Sequence, residues 1–555
     1  MGAVFPYVTS GDGFYRDGSF VQHANYSYNG GYGKSLLYNV ASLLSMLHTS
    51  PWQSPSPESG NVFAWVRNAF APYTYFGAMM DMTRGRETAR NFTSDHVAGH
   101  LLTAGMLQLA TVAPASEARY LRELAKHWIT RDEARDFFAF DPLQSQRVAS
   151  LALARAVVRD SGVATGAESV GHVVSAGMAR AVHRRPRFAL GIAMASNIVK
   201  PYESINAENL KGWYTGWGTT YLYLPAKQAQ FSNGYWPTIN PYRLPGTTVD
   251  TRTLGTAQAL TTTSVFAGGA TVDGLGAIGM GLRPAGTTLS ARKSWFCVGD
   301  RVVCLGTAIT STDGRTIETV VENRNTGQNG RTGLVVDSAA TQSTPNGAPT
   351  VLKNPKWAHI DGVGGYVFPS GGTVKALRED RTGKWSDINR TYPDDTVYSR
   401  RYITLWFDHG TSPTNATYAY VLLPTASAAQ TSAYAAAPDI SVVSNTPAVQ
   451  GVRHAAAGIA MVNVWEPGAP ETAGITVDRK ASVVTRVSKG ELTVAVADAS
   501  KAQTGTVRVT VDANAAAAVS TDPGVTVVSL SPAVVLSVAV DNSNGRTYTA
   551  RFRLR

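Results

Sequence analysis

The chain has 555 residues, a formal net charge of +11 and a sequence pI of about 9.5, so we expect several domains and anionic partners. Hydrophobic residues make up 44% and charged residues 16%, which excludes a disordered chain. The sequence has no dense Lys/Arg run interleaved with aromatic residues, and its apolar runs are too short or too interrupted to span a bilayer. We therefore expect neither a nucleic-acid partner nor a membrane protein.

The first part of the chain, to about residue 190, is predicted to be helical. Ser116 is a candidate N-cap for its third helix, ahead of an acidic first turn. Apolar residues recur at helical spacing in four segments, which are 35–48, 96–111, 117–130 and 148–162.

From about residue 190 onwards, short alternating runs rich in Thr, Val, Gly and Tyr predict antiparallel β-structure. Residues 191–440 are enough for one very large sandwich or two stacked ones, with an Ala/Ser-rich linker or edge segment at 426–440. Residues 450–555 alternate again and predict a small β-sandwich. We expect an α+β multidomain fold with a helical domain at 1–190, a central β domain and a C-terminal β domain.

Two groups of metal-type ligands occur, and neither predicts a metal site. His96 and His100 form an i,i+4 pair, but the Glu of a zinc protease and a third ligand are missing, so we expect helix-surface or helix-packing histidines. Cys297 and Cys304 lie in a strand-like stretch, where they would either bridge a hairpin or remain two buried free thiols.

Three segments carry residues suited to sugar chemistry. Residues 11–37 combine Gly, Asp and Tyr with one His in a loop that opens onto a helix, as in a sugar-binding cleft. Arg86 and Arg90 are four residues apart, and guanidinium groups suit carboxylates or sulfates. In residues 202–223, Glu203 precedes a run of Trp and Tyr.

These segments together resemble polysaccharide lyase family 8, the hyaluronate, chondroitin and xanthan lyases. The resemblance covers nearly the whole chain. The spacings of nine residues between His23 and Tyr32 and of 54 between Tyr32 and Arg86 are those of the family's catalytic His, Tyr and Arg. The matching motifs are DGSF and QH (His23), GGYG (Tyr32), RGR (Arg86), YESIN (Glu203), NGYWPTINPYRLPGTT (233–248) and RKSWF (292–296).

The resemblance implies an incomplete α/α toroid, then a large antiparallel β super-sandwich and a small C-terminal β domain. It also implies an extracellular enzyme, here expected to be a monomer, that cleaves uronic-acid-containing polysaccharides by β-elimination. Such a mechanism requires no metal or cofactor. The expected substrate is of the hyaluronan or chondroitin type. The alternatives are a xanthan lyase of the same family and a non-catalytic acidic-polysaccharide-binding protein.

The roles of the site residues are likewise implied by the resemblance. Tyr32 would transfer the proton, His23 would orient the uronate carboxylate or share in proton abstraction, and Glu203 would orient its neighbours. Arg86 would hold the sugar and the phenol oxygen of Tyr32. The residues expected to bind substrate are Arg90, Asn206 and Trp213; core packing is an equally good interpretation of Trp213.

The chain departs from the family pattern in three places. The family also uses an Asn about fifty residues before its His, which would fall before Met1, so we expect an N-terminally incomplete enzyme whose remaining helices expose apolar faces. Asn197 stands where Arg is common, and Trp217 stands in place of the Asp of an Asp-Gly pair. Both departures lie near Glu203 and leave the substrate preference open.

Overall fold

The computed structural model describes residues 2–54, 56–139, 148–340 and 346–555. Four of its helices match the four predicted segments to within a few residues. The α-helices of the described residues are α1 (Lys34–Leu47), α2 (Asn61–Trp65), α3 (Asp95–Leu109), α4 (Ala115–Arg131), α5 (Val148–Arg159), α6 (Tyr235–Thr238) and α7 (Ala428–Ala436).

Helix α3 lies at the centre of the helical region, where it packs against α1, α4 and α5. The Ser94 side chain caps it by accepting a hydrogen bond from the Val97 backbone N–H. Nearly every residue of α3 is buried, and Gly99 makes this possible, because a Cβ there would lie 1.6 Å from the carbonyl oxygen of Gly77.

Two local predictions are corrected by the structure. Helix α4 begins at Ala115 after Pro114, so Ser116 lies inside the first turn and is not the N-cap. The segment predicted as a linker or edge contains α7, because Ser427 and Gln430 form a capping box at its start.

Small antiparallel sheets support the helical region. The order is β1-β2-β3 in the first sheet, β4-β5 in the second and β6-β7-β8-β9 in the third. Short strands therefore occur within the region predicted to be helical, and the third sheet begins at Gly171, ahead of the boundary expected near residue 190. The bounds are β1 (Gly13–Phe14), β2 (Phe20–Gln22), β3 (Tyr26–Ser27), β4 (Thr74–Tyr75), β5 (Ala78–Met79), β6 (Gly171–Ser175), β7 (Arg180–Arg185), β8 (Phe188–Ala193) and β9 (Thr219–Tyr223).

The central β region consists of two antiparallel sheets, ordered β10-β15-β22-β21-β18 and β11-β12-β13-β14-β23-β20-β19-β16-β17. Their facing side chains share one large core with the helical region. The strands are β10 (Thr248–Asp250), β11 (Ala267–Val272), β12 (Leu275–Leu282), β13 (Ser290–Val298), β14 (Arg301–Thr310), β15 (Thr316–Asn325), β16 (Leu334–Val336), β17 (Ala339–Ala340), β18 (Thr350–Lys353), β19 (Trp357–Ile360), β20 (Gly364–Val367), β21 (Thr373–Gly383), β22 (Tyr398–Thr411) and β23 (Ala416–Pro424).

The C-terminal region is a smaller sandwich of two antiparallel sheets, ordered β24-β25-β26-β28-β29-β34-β31 and β27-β30-β33-β32. Its interior is built mainly from valines. The strands are β24 (Ser441–Asn445), β25 (Val449–His454), β26 (Ile459–Val464), β27 (Ile475–Val477), β28 (Ala481–Ser488), β29 (Glu491–Ala497), β30 (Thr506–Val511), β31 (Ala515–Thr521), β32 (Val525–Ser529), β33 (Val534–Ala539) and β34 (Thr547–Leu554).

The order of helical region, large antiparallel β region and small C-terminal β-sandwich confirms the predicted fold class. Among the described residues, none of the helices combines the length and the hydropathy that a membrane-spanning segment requires. Cys297 and Cys304 are both buried free thiols, which decides between the two interpretations of this pair.

Candidate active site

His23 lies at the tip of the hairpin between β2 and β3. Its φ is 53° and that of Ala24 is 67°, a left-handed conformation that is uncommon outside glycine and concentrates at functional sites. The Asp12 carboxylate holds this turn from both sides, because it accepts hydrogen bonds from the Ala24 backbone N–H (2.6 Å) and the Gln22 side chain (2.7 Å). The imidazole remains 35% exposed and available to a ligand.

Tyr32 lies in a π-helical turn, Asn29–Gly33, that leads directly into α1. Such turns are rare and are frequent at functional sites. Two glycines allow the turn to pack closely: a Cβ at Gly30 would lie 2.7 Å from Arg84 Cγ, and one at Gly31 would lie 2.6 Å from the Tyr28 ring. The GGYG motif is therefore the local sequence that lets Tyr32 approach the RGR segment.

Arg86 lies in the short 3-10 helix Gly85–Ala89. Gly85 has a φ of +56°, and a Cβ at this position would be 2.1 Å from the ring of Tyr28, so both conformation and space require glycine. Arg84 faces the opposite way, where it forms a buried ion pair with Asp81. This contact gives Arg84 a structural role and leaves Arg86 to face the site.

The carboxylate of Glu203 is the buried acceptor of the site, with 2% of its side chain exposed. One oxygen lies 2.6 Å from Nδ1 of His23. The other accepts hydrogen bonds from Nη1 of Arg86 at 2.7 Å and from the hydroxyl of Tyr28. The Asn209 side-chain amide fixes the Glu203 backbone by donating to its carbonyl oxygen at 2.9 Å.

Arg86 connects the whole cluster because its guanidinium uses all of its edges. Nη2 donates to the hydroxyl of Tyr32 at 2.8 Å, Nη1 donates to Glu203, and Nε donates to Glu208 at 3.2 Å. The rings of His23 and Tyr32 have centroids 5.2 Å apart. The structure therefore brings together the four side chains that the sequence pattern selected as catalytic.

Two tyrosines stand beside Arg86, and their surroundings differ. Tyr28 is fully buried; its burial and the negative Glu203 raise its pKa well above the ordinary value, so it stays a neutral phenol that donates to Glu203. Tyr32 is only partly buried, and its oxygen accepts a hydrogen bond from a cation. A cation in this position stabilises negative charge on the Tyr32 oxygen.

Sequence reasoning missed Tyr28 and Glu208. Glu208 binds both arginines, since Arg90 Nε lies 2.5 Å from its Oε2 and Arg86 Nε lies 3.2 Å from its Oε1. The two glutamates Glu203 and Glu208 thus balance the two guanidinium charges, which is the arrangement that makes burial of such charges tolerable. The signal was present, because Glu208 lies in the same YESINAEN segment as Glu203.

The three residues expected to bind substrate occupy different places. Arg90 is at the rim, with 16% of its side chain exposed. Asn206 is exposed at a loop tip, where its carbonyl accepts a hydrogen bond from the Thr391 hydroxyl. Trp213 is only 2% exposed and its Nε1 donates to a backbone carbonyl at 3.0 Å, so it is a core residue and its predicted sugar contact is wrong.

The histidine pair on α3 is buried, which decides between the surface and packing roles expected for it in favour of packing. His96 Nδ1 and His100 Nε2 both contact the same carboxylate oxygen of Asp132, at 2.8 and 2.9 Å. His96 Nε2 also lies 3.1 Å from the carbonyl oxygen of Gln228, which connects α3 to the segment after β9. Both ring nitrogens of His96 therefore connect α3 to neighbouring segments.

The family comparisons match all three parts of the chain. Residues 1–127 match the model described as "Polysaccharide lyase family 8, N terminal alpha-helical domain". Residues 170–435 match that of the "super-sandwich domain", and residues 441–507 match that of the "C-terminal beta-sandwich domain" of the same family.

Individual proteins with similar sequences are known lyases. The chain is 42% identical to the xanthan lyase of Bacillus sp. (strain GL1) over 99% of its own length and 59% of that protein. It is 40% identical to the hyaluronate lyase of Thermasporomyces composti, over 99% of its length and 70% of that protein. The chain thus spans well under the full length of these relatives.

Solved structures give the same picture. The Paenibacillus xanthan lyase superposes with a TM-score of 0.95 at 38% identity, over the whole chain and 53% of that protein. The Streptomyces coelicolor A3 chondroitin AC lyase, in complex with chondroitin sulphate, superposes with a TM-score of 0.90 at 36% identity, over the whole chain and 73% of that protein.

Proposed function

Because the chain belongs to polysaccharide lyase family 8, we propose that it cleaves uronic-acid-containing polysaccharides of the hyaluronan or chondroitin type by β-elimination. The product would carry a 4,5-unsaturated uronic acid at its new non-reducing end. The observation that carries this proposal is the guanidinium of Arg86, which joins the Tyr32 hydroxyl to Glu203 while Glu203 holds His23.

The reaction begins with a difficult deprotonation. The C5–H of a uronate is α to a carboxylate and is a very weak acid, since its removal places further negative charge on a group that is already anionic. A catalyst must stabilise this developing charge, accept the proton and protonate the departing oxygen. The cationic and hydrogen-bonding groups around Arg86 are suited to the first task.

Tyr32 is proposed to transfer the proton. As a phenolate held by Arg86, it takes the C5 proton; the C5–H electron pair forms the C4–C5 double bond and the C4–O glycosidic bond breaks. The phenol then gives its proton to the leaving oxygen, which restores the phenolate. Arg86 supports this cycle because its Nη2 lies 2.8 Å from the oxygen whose charge alternates.

His23 is proposed to position the uronate. Its Nδ1 is engaged by Glu203, so its Nε2 is the ring nitrogen that faces the substrate. Arg90 at the rim is proposed to contact a neighbouring acidic group of the polymer, with Glu208 fixing the direction of its guanidinium. Asn206, exposed on the adjoining loop, is proposed to add a polar contact.

The substrate is proposed to be an acidic polysaccharide. An acidic polysaccharide agrees with the net charge of +11 and with the chondroitin sulphate bound by the Streptomyces coelicolor A3 lyase. By resemblance to the family we propose an extracellular monomer. We also propose that the helical region, the central β region and the C-terminal sandwich are three separate domains.

The decisive test replaces Tyr32 by Phe and follows the far-ultraviolet absorbance of the unsaturated uronate. We expect the turnover number on hyaluronan or chondroitin to fall by about 1,000-fold, because the proton-transfer group is removed while its ring remains. Tyr15→Phe is the matched control in the same N-terminal segment, where the hydroxyl donates to the Gly11 carbonyl, and should retain full activity.

An unchanged turnover number for Tyr32→Phe would refute the assignment of Tyr32. A chain that binds hyaluronan tightly but yields no unsaturated product would instead be a binding protein. Assays on hyaluronan, chondroitin sulfates and xanthan separate the substrate alternatives, and selective cleavage of xanthan would overturn the choice of hyaluronan or chondroitin.

A further inference from the structure

Three side chains that take no part in the lyase chemistry converge inside the β region. His172 on β6, His183 on β7 and Cys297 on β13 are all buried, and one ligand atom from each lies within 4.8 Å of the other two. We propose that they bind one soft transition-metal ion, Cu⁺, as a structural site independent of the lyase activity.

The separation of the imidazoles fits shared coordination better than a hydrogen bond. Nδ1 of His172 and Nδ1 of His183 are 3.4 Å apart. This distance is longer than the roughly 2.7–3.2 Å that N–H···O hydrogen bonds span in proteins. Two nitrogen ligands each about 2.0 Å from one metal, at a trigonal or tetrahedral angle, lie about 3.3–3.5 Å apart.

The outer nitrogen of His183 fixes the tautomer that a ligand needs. Its Nε2 lies 2.7 Å from the carbonyl oxygen of Gly299. A carbonyl only accepts, so Nε2 carries the proton and Nδ1 presents a lone pair towards Nδ1 of His172. A backbone carbonyl bonded to the far nitrogen is the usual support of a metal-binding histidine.

The nitrogens of His172 are poorly satisfied within the protein. Its Nε2 is buried and has no hydrogen-bond partner among the described residues, while its Nδ1 has only the long contact to His183. Buried polar atoms are almost always satisfied, so the weakly bonded Nδ1 is the His172 atom that a metal ion would complete, while Nε2 lies against β12 at Gly276.

Gly276 makes room for this arrangement. It pairs directly with Cys297 in the register of β12 and β13. A Cβ at Gly276 would lie 2.4 Å from Nε2 of His172, so the histidine ring rests directly on this part of the strand. The glycine thereby brings the His172 ring next to the strand position of the cysteine.

Charge selects the ion. A thiolate and two neutral imidazoles neutralise Cu⁺ completely, whereas Zn²⁺ would leave a net positive charge in a buried place. Among the ion pairs of the described histidines, none involves His172 or His183. Thiolate is also the ligand type that selects Cu⁺. A bound ion would connect the β6–β9 sheet to the nine-stranded sheet and stabilise that contact.

The test is an anaerobic titration of the reduced, metal-free chain with Cu⁺ in competition with a chromophoric chelator. We expect the chain to withdraw one equivalent and its melting temperature to rise by about 5 °C. Cys297→Ser should abolish both effects. Cys304→Ser is the matched control, because Cys304 is also buried and lies on the neighbouring strand, and it should retain both.

Absorption-edge spectroscopy of the loaded chain should show one sulfur and two nitrogen ligands, a readout that does not depend on whether a variant folds. The proposal is overturned if the wild-type chain withdraws no Cu⁺, or if Cys297→Ser and Cys304→Ser withdraw the same amount. Binding of Zn²⁺ instead, with the same dependence on Cys297, would support the metal site and overturn the choice of ion.

Discussion

The helical region and the C-terminal sandwich solve the problem of a stable interior in opposite ways. Around Arg86 the interior holds two arginines and two glutamates joined by hydrogen bonds, beside a strained turn at His23. The interior of the C-terminal sandwich is mostly valine, packed between two sheets. The interior around Arg86 depends on pairing each buried charge with an opposite charge, whereas the C-terminal interior depends on close packing of apolar side chains.

This difference separates what function requires from what folding requires. Buried charges contribute little net stability even when paired, and removing one partner leaves the other uncompensated. Their retention around Tyr32 is therefore explained by the chemistry proposed for that site. In the C-terminal sandwich, where no such role is proposed, burial of apolar area supplies the stability directly.

Removing one carboxylate from the site is the strongest test of this contrast. Glu203→Gln leaves Arg86 with an unbalanced buried charge and takes the charged partner from His23, so we expect a loss of about 3 kcal/mol in unfolding free energy. The turnover number should fall about 100-fold. Urea denaturation and the ultraviolet assay measure the two effects.

Glu318→Gln is the matched control, because Glu318 binds Arg243 through two contacts of 2.8 Å in the β region. It should lower stability and leave the turnover number unchanged. If Glu203→Gln has the same small effect on turnover as Glu318→Gln, then the charges around Arg86 serve folding only and the contrast fails.

Gly85→Ala tests the close packing that the site requires. The added Cβ meets the Tyr28 ring at 2.1 Å and the backbone has a φ of +56°, so we expect a loss of about 3 kcal/mol. Gly314→Ala isolates the backbone effect, since Gly314 has a φ of +72° with nothing within 4 Å, and should cost about 1 kcal/mol. Equal losses, measured by urea denaturation, would show that contact with Tyr28 is unimportant.

Sequence patterns predicted the helices well, because a 3.6-residue apolar repeat is a local signal. The segment 426–440 shows the limit: its composition suggested a linker, and only the local capping box of Ser427 and Gln430 announces α7. For the site, motif spacing selected residues that do meet, such as His23 and Glu203, which are 180 positions apart.

What the sequence could not provide was burial and long-range pairing. Trp213 and a solvent-facing tryptophan look identical in the sequence, and only packing against Tyr242 at 5.2 Å decides that Trp213 belongs to the core. The approach of His172 and His183 to Cys297 depends on contact between two sheets. Contacts between distant segments produce no periodic pattern in the sequence, so only the structure reveals them.

The charged groups of the helical region should make the unfolding free energy of the chain depend on pH, whereas the valine-rich C-terminal interior should not. Burial disfavours a charge on His96, but the carboxylates of Asp95 and Asp132 outweigh it and raise the pKa of His96 to about 9. A raised pKa stabilises the fold fully below the ordinary value of 6.5, and this contribution is lost as the pH rises towards 9. We expect a loss of about 2 kcal/mol over this window.

His96→Gln should flatten this slope, as measured by urea midpoints between pH 6.5 and 9. His48→Gln is the control, because His48 is exposed at the end of α1, and it should preserve the wild-type slope. A slope that survives in His96→Gln would mean that another group, and not the α3 histidine, couples folding to the proton.

The smallest effect is expected from removing one methyl group in either core. Ile475→Val in the C-terminal sandwich and Ile192→Val on β8 both act on fully or almost fully buried side chains, so each should cost about 1 kcal/mol. Because a methyl group carries no charge, the cost should be the same at pH 6.5 and pH 9, and the turnover number should not change. Urea denaturation at both pH values provides the measurement. If Ile192→Val instead lowers turnover, the apolar core around β8 helps to position the charged cluster, and the two regions differ less than their compositions indicate.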